Sequence, residues 1–299
     1  MISGQPRHLL VVALLVVALA WAAPALAGPI LFTASGANAS DIQSTVDAFR
    51  AALGNPDNGN GGPSATGHRE INWDGGGATN GTAAVTPFTV FQNTRGATFT
   101  TPGAGLTQTP ITGGTVDIAP SIAGQQNNLS DLNAGYAAAF KTFSPVRLFA
   151  PIGSTITDGT FSIPGTGGTV PAGLSGFGVV FTDVDILGST SIEFFDFRGD
   201  SLGKFNAPCG SGAICSPTSG TLSFLGVIFS PEQITRVRIT SGNADLGLGL
   251  TDSATVDAVA MDDFIFAEPR AIPAPAALLL LGVALLGLAA FSRFRAGEA

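Results

Sequence analysis

Charge is what this 299-residue chain has least of. Only 11% of its residues are Asp, Glu, Lys or Arg, against roughly 25% in an ordinary soluble domain. Lysine is nearly absent, and no basic stripe or cluster occurs in the middle of the chain. Residues 28–272 carry 20 acidic and 10 basic side chains, so their net charge is 10 − 20 = −10. Binding nucleic acid requires gathered Lys and Arg to neutralise phosphates, so that class of partner is excluded. Cysteine occurs twice and histidine twice, with His68 the one histidine beyond the first few residues. A zinc site needs about four Cys or His ligands, so none is expected. There is no G-x-S-x-G elbow, no Gly-rich loop ending in Lys, no EF-hand loop and no Asp-rich nonapeptide repeat. The usual local signatures of serine hydrolases, nucleotide binding and repeat-type calcium binding are therefore missing.

What the chain has is glycine (40), proline (19) and phenylalanine (21), against one Tyr and two Trp. Such a composition favours turns and short strands over long helices and uses aromatics to build a core. Much of the 45% hydrophobic content sits in two terminal runs. At the front, Arg7 and His8 precede an apolar stretch from Leu9 to Ala23, and Ala25-Leu26-Ala27 supplies the small-x-small pattern of a signal peptidase site. Residues 1–27 thus read as a cleavable signal peptide. Export leads to an oxidising compartment, where Cys209 and Cys215 in "APCGSGAICSP" are expected to close a local disulfide.

The other end reads "IPAPAALLLLGVALLGLAAFSRFRAGEA". From Ala276 to Phe291 no side chain is polar; at 1.5 Å per residue this run covers about 24 Å, and residues 272–275 extend it to a full bilayer crossing. Arg293 and Arg295 follow, where the positive-inside rule wants a cytoplasmic anchor. The segment resembles the PEP-CTERM sorting signals in their V-P-x-P-A variant. Pro273, Pro275 and Ala276 match that motif, with Ile272 in place of Val, although the basic end is thin and Glu298 follows it. The resemblance covers some 28 terminal residues. It implies a Gram-negative host that produces exopolysaccharide, an exosortase-type membrane processing enzyme as partner, and delivery to the cell surface. A plain C-terminal membrane anchor is the simpler alternative.

Within the exported middle, Ser40 as N-cap and Gln43 fit a capping box, and Ile42, Val46, Phe49 and Leu53 recur at helical spacing until Gly54 and Pro56. One short amphipathic helix is predicted there. Residues 103–135 are polar and weakly periodic, and read as loops or irregular edge strands. From residue 140 the pattern sharpens into eight strand candidates with no helix between them. They are "VRLFAPI", "GTFSIP", "SGFGVVFTDVD", "TSIEFFDF", "LGKF", "TLSFLGVIF", "ITRVRIT" and "VDAVAMDDFIFAE". In "ITRVRIT", Ile234, Val237 and Ile239 should face inward and Arg236 and Arg238 outward. The expected fold is all-β, an antiparallel β-sandwich with a jelly-roll-like plan. Its core would lie in 140–270, and 28–139 would be a separate part or would complete the same domain. The strand rhythm is similar to that of carbohydrate-binding jelly rolls, a likeness of pattern that assigns no activity.

Two groups of residues could carry chemistry. In "HREINWDGGG", Ile71 and Trp73 would share a strand face before a turn at Asp74. Glu70, Trp73 and Asp74 could bind a sugar, with Trp73 as stacking platform or the carboxylates as acid and base. The simpler reading is a buried Trp, a turn and an Arg–carboxylate pair. Asp183 and Asp185 in "FTDVDI" point to one side of an extended chain. With Asp262 and Asp263 on the last strand, they could hold Ca²⁺, which accepts 6–8 oxygens; solvated or turn-capping carboxylates are the alternative. The sequence therefore predicts an exported, surface-sorted, non-enzymatic matrix protein with polysaccharide as a candidate ligand. A secreted polysaccharide hydrolase and a calcium-stabilised adhesin are the rival expectations.

Overall fold

The computed structural model describes residues 28–74, 84–109, 129–130, 132–145, 147–210, 215, 220–230, 234–247, 250, 252–272 and 282–284. Near the start lie β1 (Ile30–Gly36) and helix α1 (Ala39–Leu53), followed by β2 (His68–Ile71), β3 (Ala97–Thr100) and β4 (Gly105–Gln108). A single helical turn, α2 (Tyr136–Ala139), precedes β5 (Phe149–Ile152), β6 (Ile156–Phe161), β7 (Ala172–Gly173), β8 (Gly176–Thr182) and β9 (Ser191–Phe195). The rest comprises β10 (Ser201–Asn206), β11 (Leu222–Ile228), β12 (Arg236–Thr240), β13 (Ala260–Ala267) and β14 (Arg270–Ala271). Each of the eight strand candidates beyond residue 140 overlaps one of these strands.

Every pairing between named strands is antiparallel. A seven-stranded sheet runs β1-β11-β8-β13-β5-β4, with β2 also bound to β13; a five-stranded sheet runs β10-β9-β12-β6-β3; β14 and β7 form a small ribbon. Strands before residue 140 belong to both large sheets: β1, β2 and β4 to the first and β3 to the second. The N-terminal third is thus woven into the same pair of sheets as the later strands.

Period-two alternation explains how the sheets meet. Phe177, Val179 and Phe181 of β8 and Phe264 and Phe266 of β13 turn toward the smaller sheet. There they meet Ile192 and Phe194 of β9, Val237 and Ile239 of β12, and Phe99 of β3. Arg236 and Arg238 lie on the other face of β12, both held by Asp158, as the alternation predicts. The opposite face of the larger sheet carries Val180, Leu222, Phe224 and Ile265, and α1 covers it with Ile42, Val46 and Phe49. β8 is therefore buried along its whole length, which is why "GFGVVFT" reads as an unbroken apolar run.

The helix starts earlier than the sequence suggests. Asn38, not Ser40, is the N-cap, and Asp41 reaches back to the Asn38 N–H at 2.9 Å. A carboxylate in the first turn meets the positive end of the helix dipole better than the neutral Gln43 amide; Gln43 instead donates to Asp47. Gly54, at φ +101°, ends the helix where expected.

Glycine lets α1 sit close to the sheet. Gly178 and Gly226 are register partners on β8 and β11, and the Phe49 ring lies directly over them. A Cβ at Gly226 would fall 2.8 Å from two Phe49 ring carbons, and one at Gly178 would fall 2.9 Å from a third. Phe49 also meets Phe32 and Phe224 edge-on, each at 5.4 Å between ring centres. Gly226→Val is expected to lower stability by about 2 kcal/mol despite its higher strand propensity. In a urea titration its cost should shrink in a Phe49→Ala background, because the nearer of its two clash partners is gone and only the Phe224 ring, at 2.9 Å, remains. Equal cost in both backgrounds would show that the close approach is not what selects glycine.

Candidate functional site

The stretch 68–74 builds a scaffold. β2 ends at Ile71, and Trp73 follows in a left-handed conformation at φ +62°, so the expected strand stops two residues short of it. The ring is fully buried. It stacks on Phe149 at 3.7 Å, is ringed by Phe88, Phe91, Phe99 and Phe264, and donates its N–H to the Asp262 carbonyl at 2.8 Å. No face of Trp73 is open to a sugar. Tyr136 is also buried, against Phe140.

Glu70 accepts both arms of the Arg50 guanidinium, at 2.7 and 2.8 Å, and a contact from His68 Nε2 at 3.0 Å. His68 Nδ1 faces the Gly54 carbonyl at 2.6 Å, so both ring nitrogens meet acceptors and the imidazolium form suits the site. Burial works to raise the Glu70 pKa, but the hydrogen bonds from His68 and Arg50 outweigh it and hold it at about 2. Burial likewise works against a charge on His68, and its bonds to Glu70 and Gly54 overcome this and raise its pKa. A carboxylate so held stays ionised and cannot deliver a proton as a general acid near neutrality. Asp74 accepts the Arg147 backbone N–H at 3.0 Å.

A second ion pair, Arg69 with Glu268, is buried entirely. Arg69 donates to both Glu268 oxygens at 2.8 Å and to the carbonyls of Gly59, Gly61, Gly62 and Thr94. Glu268 also accepts from Asn58 and the Ser64 N–H. The Gly-rich loop 55–67 is thereby fixed to the end of β13.

The four aspartates grouped from the sequence fall in two places. Asp262 and Asp263 occupy a register shift in β13. Asp262 accepts the Phe143 N–H at 2.5 Å, Asp263 accepts the Ser144 hydroxyl at 2.6 Å, and Arg50 lies 3.6 Å from Asp263. Burial raises both pKa values, and the Asp263 charge adds to the effect on Asp262. Asp183 and Asp185 instead join Asp252, with one carboxylate oxygen from each lying within 4.8 Å of the others. This is the one such group of three or more potential metal ligands among the described residues.

Asp183 follows β8 at φ +69°, its N–H bonded to the Thr221 carbonyl at 2.8 Å. Its Oδ1 accepts the Gly220 N–H at 3.0 Å, whereas its buried Oδ2 has no hydrogen-bond donor. Burial, then the Asp252 and Asp185 carboxylates, push its pKa up to about 9. Asp252 Oδ1 accepts the Ala258 N–H at 2.6 Å. Buried Asp257 shapes the adjoining turn by accepting the Asp185 and Ile186 N–H groups and the Ser189 hydroxyl. The donor set is entirely oxygen, which suits Ca²⁺ or Mg²⁺ and not zinc. Asp252 escaped the sequence reading because its loop reaches Asp183 only through the β8–β13 register, Thr182 opposite Ala260.

Cys209 and Cys215 form a disulfide, with Cα atoms 5.0 Å apart. The cleavage residues Ala25 and Ala27, the motif residues Pro273, Pro275 and Ala276, and the anchor residues Arg293 and Arg295 lie outside the described residues. Among those described, no helix is long and apolar enough to cross a membrane. Comparison with protein-family models, curated proteins and solved structures finds no match to this chain.

The Glu70 cluster makes a pH prediction. A folded pKa of about 2 against an ordinary 4.5 means that its contribution is complete above about pH 4.5. It is lost as pH falls toward 2. Glu70→Gln is expected to cost about 2 kcal/mol at pH 7 and to flatten the acid limb of a stability–pH curve. An unchanged acid limb would show that the cluster does not stabilise the fold.

Proposed function

We propose that the chain is an exported, surface-sorted, non-enzymatic β-sandwich protein of jelly-roll-like plan that serves as a structural component of the extracellular matrix. The observation that carries this reading is the Cys209–Cys215 cystine. Such bonds persist in oxidising compartments and are rare in the cytosol. The signal-peptide pattern ending at Ala27 and the tail motif at Pro273, Pro275 and Ala276 agree with it. In this reading an exosortase-type enzyme recognises the tail while the apolar run after it holds the chain in the inner membrane, with Arg293 and Arg295 on the cytoplasmic side.

A structural role is favoured over a lectin or a hydrolase by how the polar and aromatic groups are used. Trp73 and Tyr136, the amphipathic aromatics of the middle, serve the core. Glu70 is spent on Arg50 and His68, and Asp74 holds a backbone N–H of the segment leading to β5.

Intact-mass analysis of the protein from cell envelopes tests the reading. The expected chain begins at Gly28 and is lighter by two hydrogens than its reduced form. A reporter active only outside the cytosol, inserted in the loop at Gly167, should give signal. An unprocessed N-terminus with free thiols and a silent reporter would overturn the proposal.

A further inference from the structure

The loop leaving β8 and the segment entering β13 meet at one end of the larger sheet, because those strands are antiparallel neighbours. We propose that Asp183, Asp185 and Asp252 hold one Ca²⁺ ion that ties these two segments together.

The inference rests first on an orphaned oxygen. Asp183 is 0% exposed, one of its carboxylate oxygens lies within 4.8 Å of oxygens of Asp185 and Asp252, and its Oδ2 has no hydrogen-bond donor. A buried carboxylate oxygen facing other carboxylates is strongly unfavourable unless a proton or a cation meets it. Neither Asp183 nor Asp252 forms an ion pair among the described residues, while Arg50, Arg69, Arg236 and Arg238 are matched with acids elsewhere. A cation from solution completes the arrangement.

The chemistry of the donors selects the ion. Three carboxylates and no nitrogen or sulfur disfavour zinc and copper. Ligand oxygens sit 2.3–2.6 Å from Ca²⁺, so oxygens on opposite sides of one ion are about 4.6–5.2 Å apart. The three oxygens here, within 4.8 Å of each other, fit inside that span. A Mg²⁺ sphere is narrower, about 4.2 Å across, and demands stricter octahedral geometry. Water would fill the remaining positions. Asp257 is the positioning residue: its carboxylate grips the Asp185 and Ile186 N–H groups and so fixes the backbone that presents Asp185. Three acidic ligands with an incomplete protein shell place the affinity in the range of extracellular modules, roughly 10⁻⁴–10⁻³ M. Such a site fills where calcium is millimolar.

The site is separate from the export proposal, since a cytosolic protein with the same loops would bind Ca²⁺ equally well in vitro. The test is calorimetric titration of the purified full chain with Ca²⁺, together with thermal melts in EDTA, Ca²⁺ and Mg²⁺. One Ca²⁺ per chain is expected, with a melting temperature at saturating Ca²⁺ about 3 °C or more above that in EDTA. Asp252→Asn should weaken binding by about tenfold or more and remove most of that rise. Asp183→Asn should abolish binding; should it fail to fold, the half-buried Asp252 carries the test alone. No heat of binding, an equal rise in Asp252→Asn, or an equal rise with Mg²⁺ would overturn the assignment. So would a protein stabilised by acid and indifferent to Ca²⁺, in which a proton neutralises the cluster.

Discussion

The central strands β8 and β13 are buried on both faces, and the rest of the architecture answers to that constraint. One face is closed by the smaller sheet through a phenylalanine-rich interior. The other needs a second cover, which α1 provides. A helix lying on a sheet normally stands off by the length of the side chains between them. Here the paired Gly178 and Gly226 remove those side chains beneath Phe49, so its ring rests against backbone. The glycine richness that suggests loops in composition is at these positions a packing device.

Burial on both faces also forces the few polar groups into defined pairings. Arg69 uses all its donor nitrogens on Glu268 and on carbonyls of the loop 55–67 and of Thr94, so a Gly-rich segment is held without a hydrophobic anchor of its own. Arg50 does similar work from the helix, joining Glu70 on β2 and approaching Asp263 on β13. With charges this scarce, most buried ones have a structural partner. Asp183 departs from that rule at its buried Oδ2, which has no hydrogen-bond donor, and that oxygen motivates the proposed calcium site.

The strands after residue 140 were legible because half-buried strands write their alternation into the sequence, as Val237 and Ile239 against Arg236 and Arg238 show. Helix α1 was legible in its apolar stripe but not in its cap, where two overlapping capping patterns compete. β1 and β3 were missed, whereas β4 falls in the stretch read as loops or irregular edge strands and does lie at a sheet edge. β1 leaves Ile30 and Leu31 largely exposed at a sheet edge, so its pattern lacks the contrast of a core strand. The role of Trp73 could not be read from its neighbours in the chain. Glu70 and Asp74 beside it suggest a binding surface, while Phe149 and Phe264, distant in sequence, bury it.

The sequence by itself determined the antiparallel all-β character, the helix, the pairing of the two cysteines and the poverty of charge, since these follow from local periodicity, spacing and composition. Only the tertiary structure decided which aspartates share a site. It separated Asp262 and Asp263 from Asp183 and Asp185 and brought in Asp252. Carboxylates far apart in the chain meet only through strand register, and register is set by the packing of two whole sheets.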